Sequence, residues 1–283
     1  MSEIKDQVGP YGVWHSSRLA TPDFAAGVER AGYGALWLGS AAEDLAGAEA
    51  MLDATSTLVV ATGIVNVWQT DALPLATAYE RVAGRFGDRF VLGVGTGHRE
   101  AFQQYAKPYE TLSGFVDTLL ANGVPADRLV LAALGPRVLR LAADRTAGAH
   151  PYLAPVEHTR RARAEIGTAP LLAPEHKVVL DPDPERARAV GRPVVEKPYL
   201  GLVNYTNNLR RLGYTDDDLA GAGSDRLIDA VVAHGTADAV AAQLRGHLDA
   251  GADHVCVQML GDDPLADLRT LAPALGLSAR DGG

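Results

Sequence analysis

The stretch Phe90-Val-Leu-Gly-Val-Gly-Thr-Gly-His98 decides how the chain is read. Phe90 to Val94 is a short apolar run of the length and type of a buried strand. Gly95-Thr96-Gly97 then lets the backbone turn sharply and approach a ligand closely. His98 follows at once, so a rigid strand delivers a flexible backbone and an ionisable ring to one place. Glycine-rich strand ends also occur as plain turns, so the stretch has to be read with its surroundings.

Similar apolar runs lie on both sides, at residues 11–15, 35–39, 58–65, 128–134, 147–150, 176–180 and 254–260. Amphipathic stretches separate them. Thr21-Pro22-Asp23 starts a helix, with proline in the first turn, that runs to Gly32. Residues 43–55, 72–86, 109–120, 155–165 and 236–250 also read as helices, and Gly135-Pro136 opens another that runs to about Arg145. Residues 184–234 are the longest interruption, helices plus loop, and residues 278–283 form a small polar tail that should fray. Eight strands alternating with helices predict a (β/α)8 barrel, one domain over residues 1–283 with its core at about 10–276 and an insertion late in the fold. A doubly wound sheet is the competing arrangement. Against it, Trp14-His-Ser-Ser17 stands after the first strand, where that fold carries a glycine-rich turn.

Composition narrows the function classes. The 283 residues carry a net charge of -9, which argues against a general nucleic-acid or anionic-membrane binder. There is no apolar signal core at the N-terminus and no run of 18 apolar residues, so a soluble cytoplasmic protein is expected. The single cysteine, Cys256, sits in an apolar run and reads as a core residue; it excludes a disulfide within the chain and a cysteine metal cluster.

In such a barrel the active site lies at the carboxyl ends of the strands. His15, His98 and His150 fall at three of those ends, and Ser40 and Asn66 at two others. Histidine can relay a proton near neutral pH or hydrogen-bond an anionic ring system. Leu134-Gly-Pro-Arg-Val138 places a helix start at the fifth strand, where free N–H groups favour an anion, with Arg137 and Arg140 adding charge; a plain helix cap with two solvated arginines is the alternative. Gly95-Thr96-Gly97 could form a second anion nest. Gly63 marks a bulge or a close approach to a ligand. Trp14, Trp37 and Trp68 read as core or pocket wall, and Asp216-Asp-Asp218 as a solvated face or helix start rather than a metal site.

Together these motifs resemble the luciferase-like superfamily of flavin and deazaflavin oxidoreductases. Leu92-Gly-Val-Gly-Thr-Gly97 looks like its strand-four signature and Ala61-Thr-Gly-Ile-Val65 like its third strand. Ala132-Ala-Leu-Gly-Pro-Arg137 and Ala147-Gly-Ala-His-Pro-Tyr152 look like its fifth and sixth. Pro198-Tyr-Leu-Gly-Leu-Val-Asn-Tyr-Thr-Asn-Asn-Leu209 and Ala250-Gly-Ala-Asp-His-Val-Cys-Val-Gln258 are similar to the actinobacterial branch that uses coenzyme F420. The resemblance implies a deazaflavin lying across the strand ends and a non-prolyl cis peptide at Gly63–Ile64. It implies cofactor contacts from Gly63, Ile64, Val65 and Asn66, from Gly95, Thr96 and Gly97, from Leu134, Gly135, Pro136 and Arg137, and from His150. His98 is the first candidate for proton donor and His15 the second.

Departures from the pattern bear on the reaction. The F420-dependent sugar-phosphate and alcohol dehydrogenases of the superfamily carry an Asp-His pair after strand two and a Glu after the strand-four glycines. Here Ser40-Ala41 and His98 stand there, which disfavours alcohol oxidation and favours reduction of an activated C=C or C=O; Ser40 joins the catalytic candidates by position. The expected function is F420-dependent hydride transfer with a small organic substrate. An FMN-dependent monooxygenase on the same barrel is the alternative, and a non-catalytic cofactor-binding barrel or a metallohydrolase using the three histidines are distant ones. No metal, nucleic acid or membrane partner is expected. Relatives of this kind often pair, which makes a homodimer the assembly to test.

Overall fold

Every apolar run read from the sequence forms a strand, and all strand pairings are parallel. The computed structural model describes residues 4–97 and 107–280. β1 (Tyr11–Ser16) pairs with β2 (Ala35–Gly39), β2 with β3 (Val59–Thr62), and β3 with β5 (Phe90–Gly95). A short β4 (Val65–Asn66) resumes pairing with β5. The order continues through β6 (Leu129–Leu131), β7 (Gly148–Ala149) and β8 (Leu171–Leu172), while β9 (Glu175–Val179) pairs with β11 (Val255–Met259), and β11 returns to β1.

β8 and β9 are one strand interrupted at Ala173-Pro174. On one side the Ala173 N–H donates to the Ala149 carbonyl at 2.9 Å and the Glu175 N–H to the Pro151 carbonyl at 2.8 Å; on the other the Cys256 N–H donates to the Pro174 carbonyl at 2.8 Å. With β3/β4 and β8/β9 each counted once, the ring closes on eight strands, and the fold is a (β/α)8 barrel. β10 (Val232–His234) pairs with the carboxyl half of β9 as an additional strand.

Helices alternate with these strands. α2 (Pro22–Arg30) begins where the sequence placed it: the Thr21 hydroxyl accepts from the Phe24 N–H at 3.1 Å, with Pro22 next in line. α3 (Ala46–Asp53) starts later than residue 43, because Leu45 takes a left-handed conformation just before it. α4 (Ala72–Phe86), α5 (Pro108–Ala121), α6 (Pro136–Arg145), α7 (Val156–Ile166) and α12 (Ala237–Asp249) follow the expected spans closely. The sequence reading missed α1 (Ile4–Val8) and α13 (Pro264–Leu271). The acidic run 216–218 is a helix start: Thr215 and Asp218 form a reciprocal capping box at α10 (Asp216–Leu219).

Most of the strands are apolar on both faces. The outward set, including Val13, Leu36, Leu38, Val60, Leu92 and Leu131, packs on the helices. The inward set, including Ala35, Trp37, Ala61, Val91, Val130 and Cys256, fills the barrel, and Ile4 and Val8 of α1 belong to the same cluster and close its amino end. Trp37 lies fully buried across the centre. Its indole N–H donates to His254 Nε2 at 3.0 Å, and its ring stacks on His150 with centroids 4.4 Å apart. Small residues make room for these rings: a Cβ on Gly12 would stand 2.5 Å from His254 Nε2, and one on Gly39 would stand 2.0 Å from the Trp14 ring. Residues 184–234 hold α8 (Pro184–Glu196), α9 (Val203–Arg211) and α11 (Asp225–Val231), with their own apolar cluster around Val195, Leu209, Leu227 and Ile228 that also takes in Leu153 and Val179. No described helix is long and apolar enough to cross a membrane.

Candidate active site

The site begins where β3 parts from β5. Ala61 pairs with Val91 and Val65 with Val94, so four residue steps on one strand face three on the other. The extra residue is a bulge. In it the peptide between Gly63 and Ile64 is cis, the bond that the family resemblance implied. The Thr62 hydroxyl stands in for the interrupted ladder, donating to the Gly93 carbonyl at 2.8 Å and accepting from the Gly93 N–H at 2.7 Å. Gly93 has to be glycine here, since a Cβ would meet the Thr62 carbonyl oxygen at 2.0 Å.

Trp14 and His150 pack against the bulge. The Trp14 indole donates to the Gly63 carbonyl at 3.0 Å. A Cβ on Gly63 would approach His150 Nε2 to 3.1 Å and Trp14 Nε1 to 3.2 Å. His150 Nδ1 donates to the Ala173 carbonyl at 2.7 Å, and burial lowers its pKa from the ordinary 6.5 to about 4. The ring is therefore neutral, with Nε2 as a buried acceptor that has no hydrogen-bond partner among the described residues.

Above the bulge opens a cavity of about 570 Å³ at the carboxyl ends of the strands. Ser40, Gly63, Ile64, Asn66, Thr96, Gly97, Leu134, Gly135, Arg137 and His150 all line it, which brings most of the residues picked from the sequence to one place. Gly97 has a positive φ of 57°, and a Cβ there would strike Asn66 Nδ2 at 2.4 Å. Gly135 precedes α6 without a side-chain cap, and the Arg137 guanidinium lies 4.1 Å over the Tyr109 ring. The other half of the α6 expectation needs correcting, because Arg140 points to the surface and pairs with Glu165 instead.

Further expected contributors do not line the cavity. His15 stacks on Phe24 of α2 with centroids 4.3 Å apart, on the outward face it shares with Val13, so it is not placed for proton transfer at the site. Val65 is fully buried on that same outward side. Gly95 packs toward Ala132 and Ile64, and Pro136 is not among the lining residues. His98, the first candidate for proton donor, lies outside the described residues.

The structure adds residues that the sequence reading passed over: Arg18, Gln69, Tyr152, Tyr199, Asn204 and Tyr205. Behind Tyr152 lies a fully buried ion pair, Lys177 Nζ to Glu175 Oε1 at 3.0 Å. Gln258 Oε1 accepts from Lys177 at 3.2 Å and from the Tyr152 hydroxyl at 2.7 Å, and the Leu153 N–H donates to Glu175 Oε2 at 2.9 Å. The ammonium also faces the Tyr152 ring, 4.1 Å from its centroid. Burial lowers the Lys177 pKa, and the Glu175 carboxylate opposes that shift. In sequence Lys177 falls inside the apolar run 176–180 and Glu175 just before it; their two-residue spacing puts them on one strand face, but only the inward direction reveals the pair. Cys256 is buried beside His150, and burial pushes its thiol pKa up, as expected of a core residue.

No protein-family model and no curated protein matches the chain in sequence. Solved structures match it in fold along nearly its whole length. An F420-dependent secondary alcohol dehydrogenase in complex with an F420-acetone adduct superposes with a TM-score of 0.72 at 14% identity, covering 96% of this chain and 99% of that one. The coenzyme F420 dependent tetrahydromethanopterin reductase from Methanopyrus kandleri gives 0.70 at 14% identity, covering 93% and 97%. The oxygenating constituent of 3,6-diketocamphane monooxygenase from Pseudomonas putida, in complex with FMN, gives 0.68 at 15% identity, covering 96% and 100%. The chain shares the barrel fold of these proteins.

Proposed function

We propose that this chain is a luciferase-like oxidoreductase that uses coenzyme F420 to move a hydride to or from a small organic substrate. The observation that carries the reading is the cavity floor: a cis Gly63–Ile64 bulge beside a buried, neutral His150 whose Nε2 has no partner among the described residues. An orphaned acceptor suits a planar ring system that offers an N–H donor, and the lack of side chains at Gly63 and Gly97 lets the backbone of the floor pack closely on His150, Trp14 and Asn66. The start of α6, with Gly135 and Arg137, suits an anionic tail. When bound, the deazaflavin supplies a two-electron hydride carrier at C5.

The chain's own residues then have distinct tasks. His150 accepts a hydrogen bond and cannot be a proton donor at neutral pH, since burial keeps it uncharged. Trp14, Ile64 and Tyr152 wall the floor and exclude water. His98 follows Gly97 in the chain and is the proposed proton donor. Ser40 and Ala41 line the cavity where an alcohol-oxidising relative would hold its Asp-His pair, and no carboxylate lines it among the described residues. This favours reduction of an activated double bond or carbonyl. An FMN-dependent monooxygenase is the second reading, supported by the FMN-bound neighbour of the same fold.

Titration of the cofactor-free protein with F420 and with FMN, followed by absorbance and fluorescence, tests the proposal. F420 is expected to saturate the protein at equal stoichiometry. Saturation by FMN alone establishes the second reading, and binding of neither removes both.

A further inference from the structure

The cavity carries two guanidinium groups, Arg18 and Arg137, and no carboxylate among the described residues, in a chain of net charge -9. Neither arginine makes an ion pair with a described residue, whereas Arg140, Arg161, Arg188 and others on this chain do. Two cations in a pocket of an acidic protein with no carboxylate among its described lining residues favour anions there.

The two cations stand apart. Arg18 follows β1, in a turn tied to the end of β2: the Ser17 N–H donates to the Gly39 carbonyl at 2.9 Å and its hydroxyl to the Ser40 carbonyl at 2.8 Å. Arg137 opens α6, which follows β6. Around the ring, β6 is reached from β1 by way of β2, β3/β4 and β5, four steps of eight. The arginines therefore sit on opposite sides of the barrel mouth. Between them the lining is aromatic, apolar or neutral, with Trp14, Ile64, Ser40, Asn66 and Tyr152. Two distant cationic poles serve two anions, not one.

The α6 pole has the N–H groups of a ten-residue helix start beside its arginine, a donor set for a phosphate. The Arg18 pole has a single planar fork at the rim, and the start of α2 four residues on is already capped by the Thr21 hydroxyl, so the fork itself is the donor set, which matches two oxygens in a plane. We propose that Arg18 binds a carboxylate of the substrate, so that the substrate is a small organic acid with an apolar body. This assignment rests on the oxidoreductase reading in one respect: that reading gives the α6 pole to the cofactor and leaves Arg18 to the substrate.

Calorimetry on the protein loaded with the cofactor it accepts tests the assignment, with benzoate and propionate compared against benzamide and propionamide. The acids are expected to bind about tenfold or more tightly than the amides, the worth of one charge-assisted hydrogen bond. Arg18→Gln should erase that preference and Arg18→Lys restore part of it, both with unchanged cofactor affinity; Arg137→Gln should weaken the cofactor instead. No binding of the acids, equal binding of acids and amides, or a preference that survives Arg18→Gln overturns the proposal. So does tighter binding of phenyl phosphate than of benzoate, or loss of cofactor in Arg18→Gln. A protein that takes neither cofactor, yet prefers the acids through Arg18, removes the oxidoreductase reading and supports the carboxylate site.

Discussion

Replacing Lys177 by methionine probes the support behind the cavity wall. Lys177 and Glu175 are both fully buried, 3.0 Å apart. The substitution keeps much of the apolar stem but takes away the cation facing the Glu175 carboxylate, while the Leu153 N–H still donates to that carboxylate at 2.9 Å. Removing one member of a buried pair costs about 3–5 kcal/mol, because the other charge stays out of water without compensation. For a chain of this size each kcal/mol moves the melting temperature by about 2–4 °C, so Lys177→Met should melt roughly 10 °C lower. The double variant Lys177→Met/Glu175→Gln removes the stranded charge and should recover most of that loss. Urea denaturation of the two single variants and the double, followed by circular dichroism, gives the coupling energy directly. A single variant that loses less than about 1 kcal/mol, or a double variant less stable than the single, would refute the claim that the pair is desolvated and mutually dependent.

Acid stability follows from the buried histidines. Burial holds His150 and His254 at a pKa of about 4, against an ordinary 6.5. The folded chain binds fewer protons than the unfolded chain between those values, so stability is complete above pH 6.5 and drains as the pH falls toward 4. The loss is about 3 kcal/mol per histidine. A melting temperature that stays flat from pH 6.5 to 4 contradicts this, and His254→Asn should make the dependence shallower. Gly63→Val should abolish F420 binding while the protein still unfolds cooperatively, because its side chain would enter the space between His150 and Trp14; cofactor affinity equal to the parent's argues against that floor. His98→Ala should lower turnover far more than cofactor affinity, and equal losses would move His98 into a binding role.

Much of this architecture was legible without coordinates. Eight apolar runs, punctuated by helix starts such as Thr21-Pro22 and Gly135-Pro136, are enough to predict a parallel barrel, because local chain stiffness and apolar burial act over a few residues. The short β8 and β10 escaped notice. Two or three residues carry no period, and Pro174 splits one barrel strand into two fragments.

Which face of each strand looks inward was decided by the tertiary structure alone. In a parallel barrel both faces of a strand are buried, so no polar alternation marks the lumen. His15 and His150 occupy equivalent strand ends in the sequence, yet one packs outward on Phe24 and the other turns its bare nitrogen toward Gly63. The Lys177–Glu175 pair was hidden for the same reason, since their i, i+2 spacing puts both on one face of β9 but only the closed barrel makes that face the lumen; the placing of Arg18 opposite Arg137 likewise depends on ring closure.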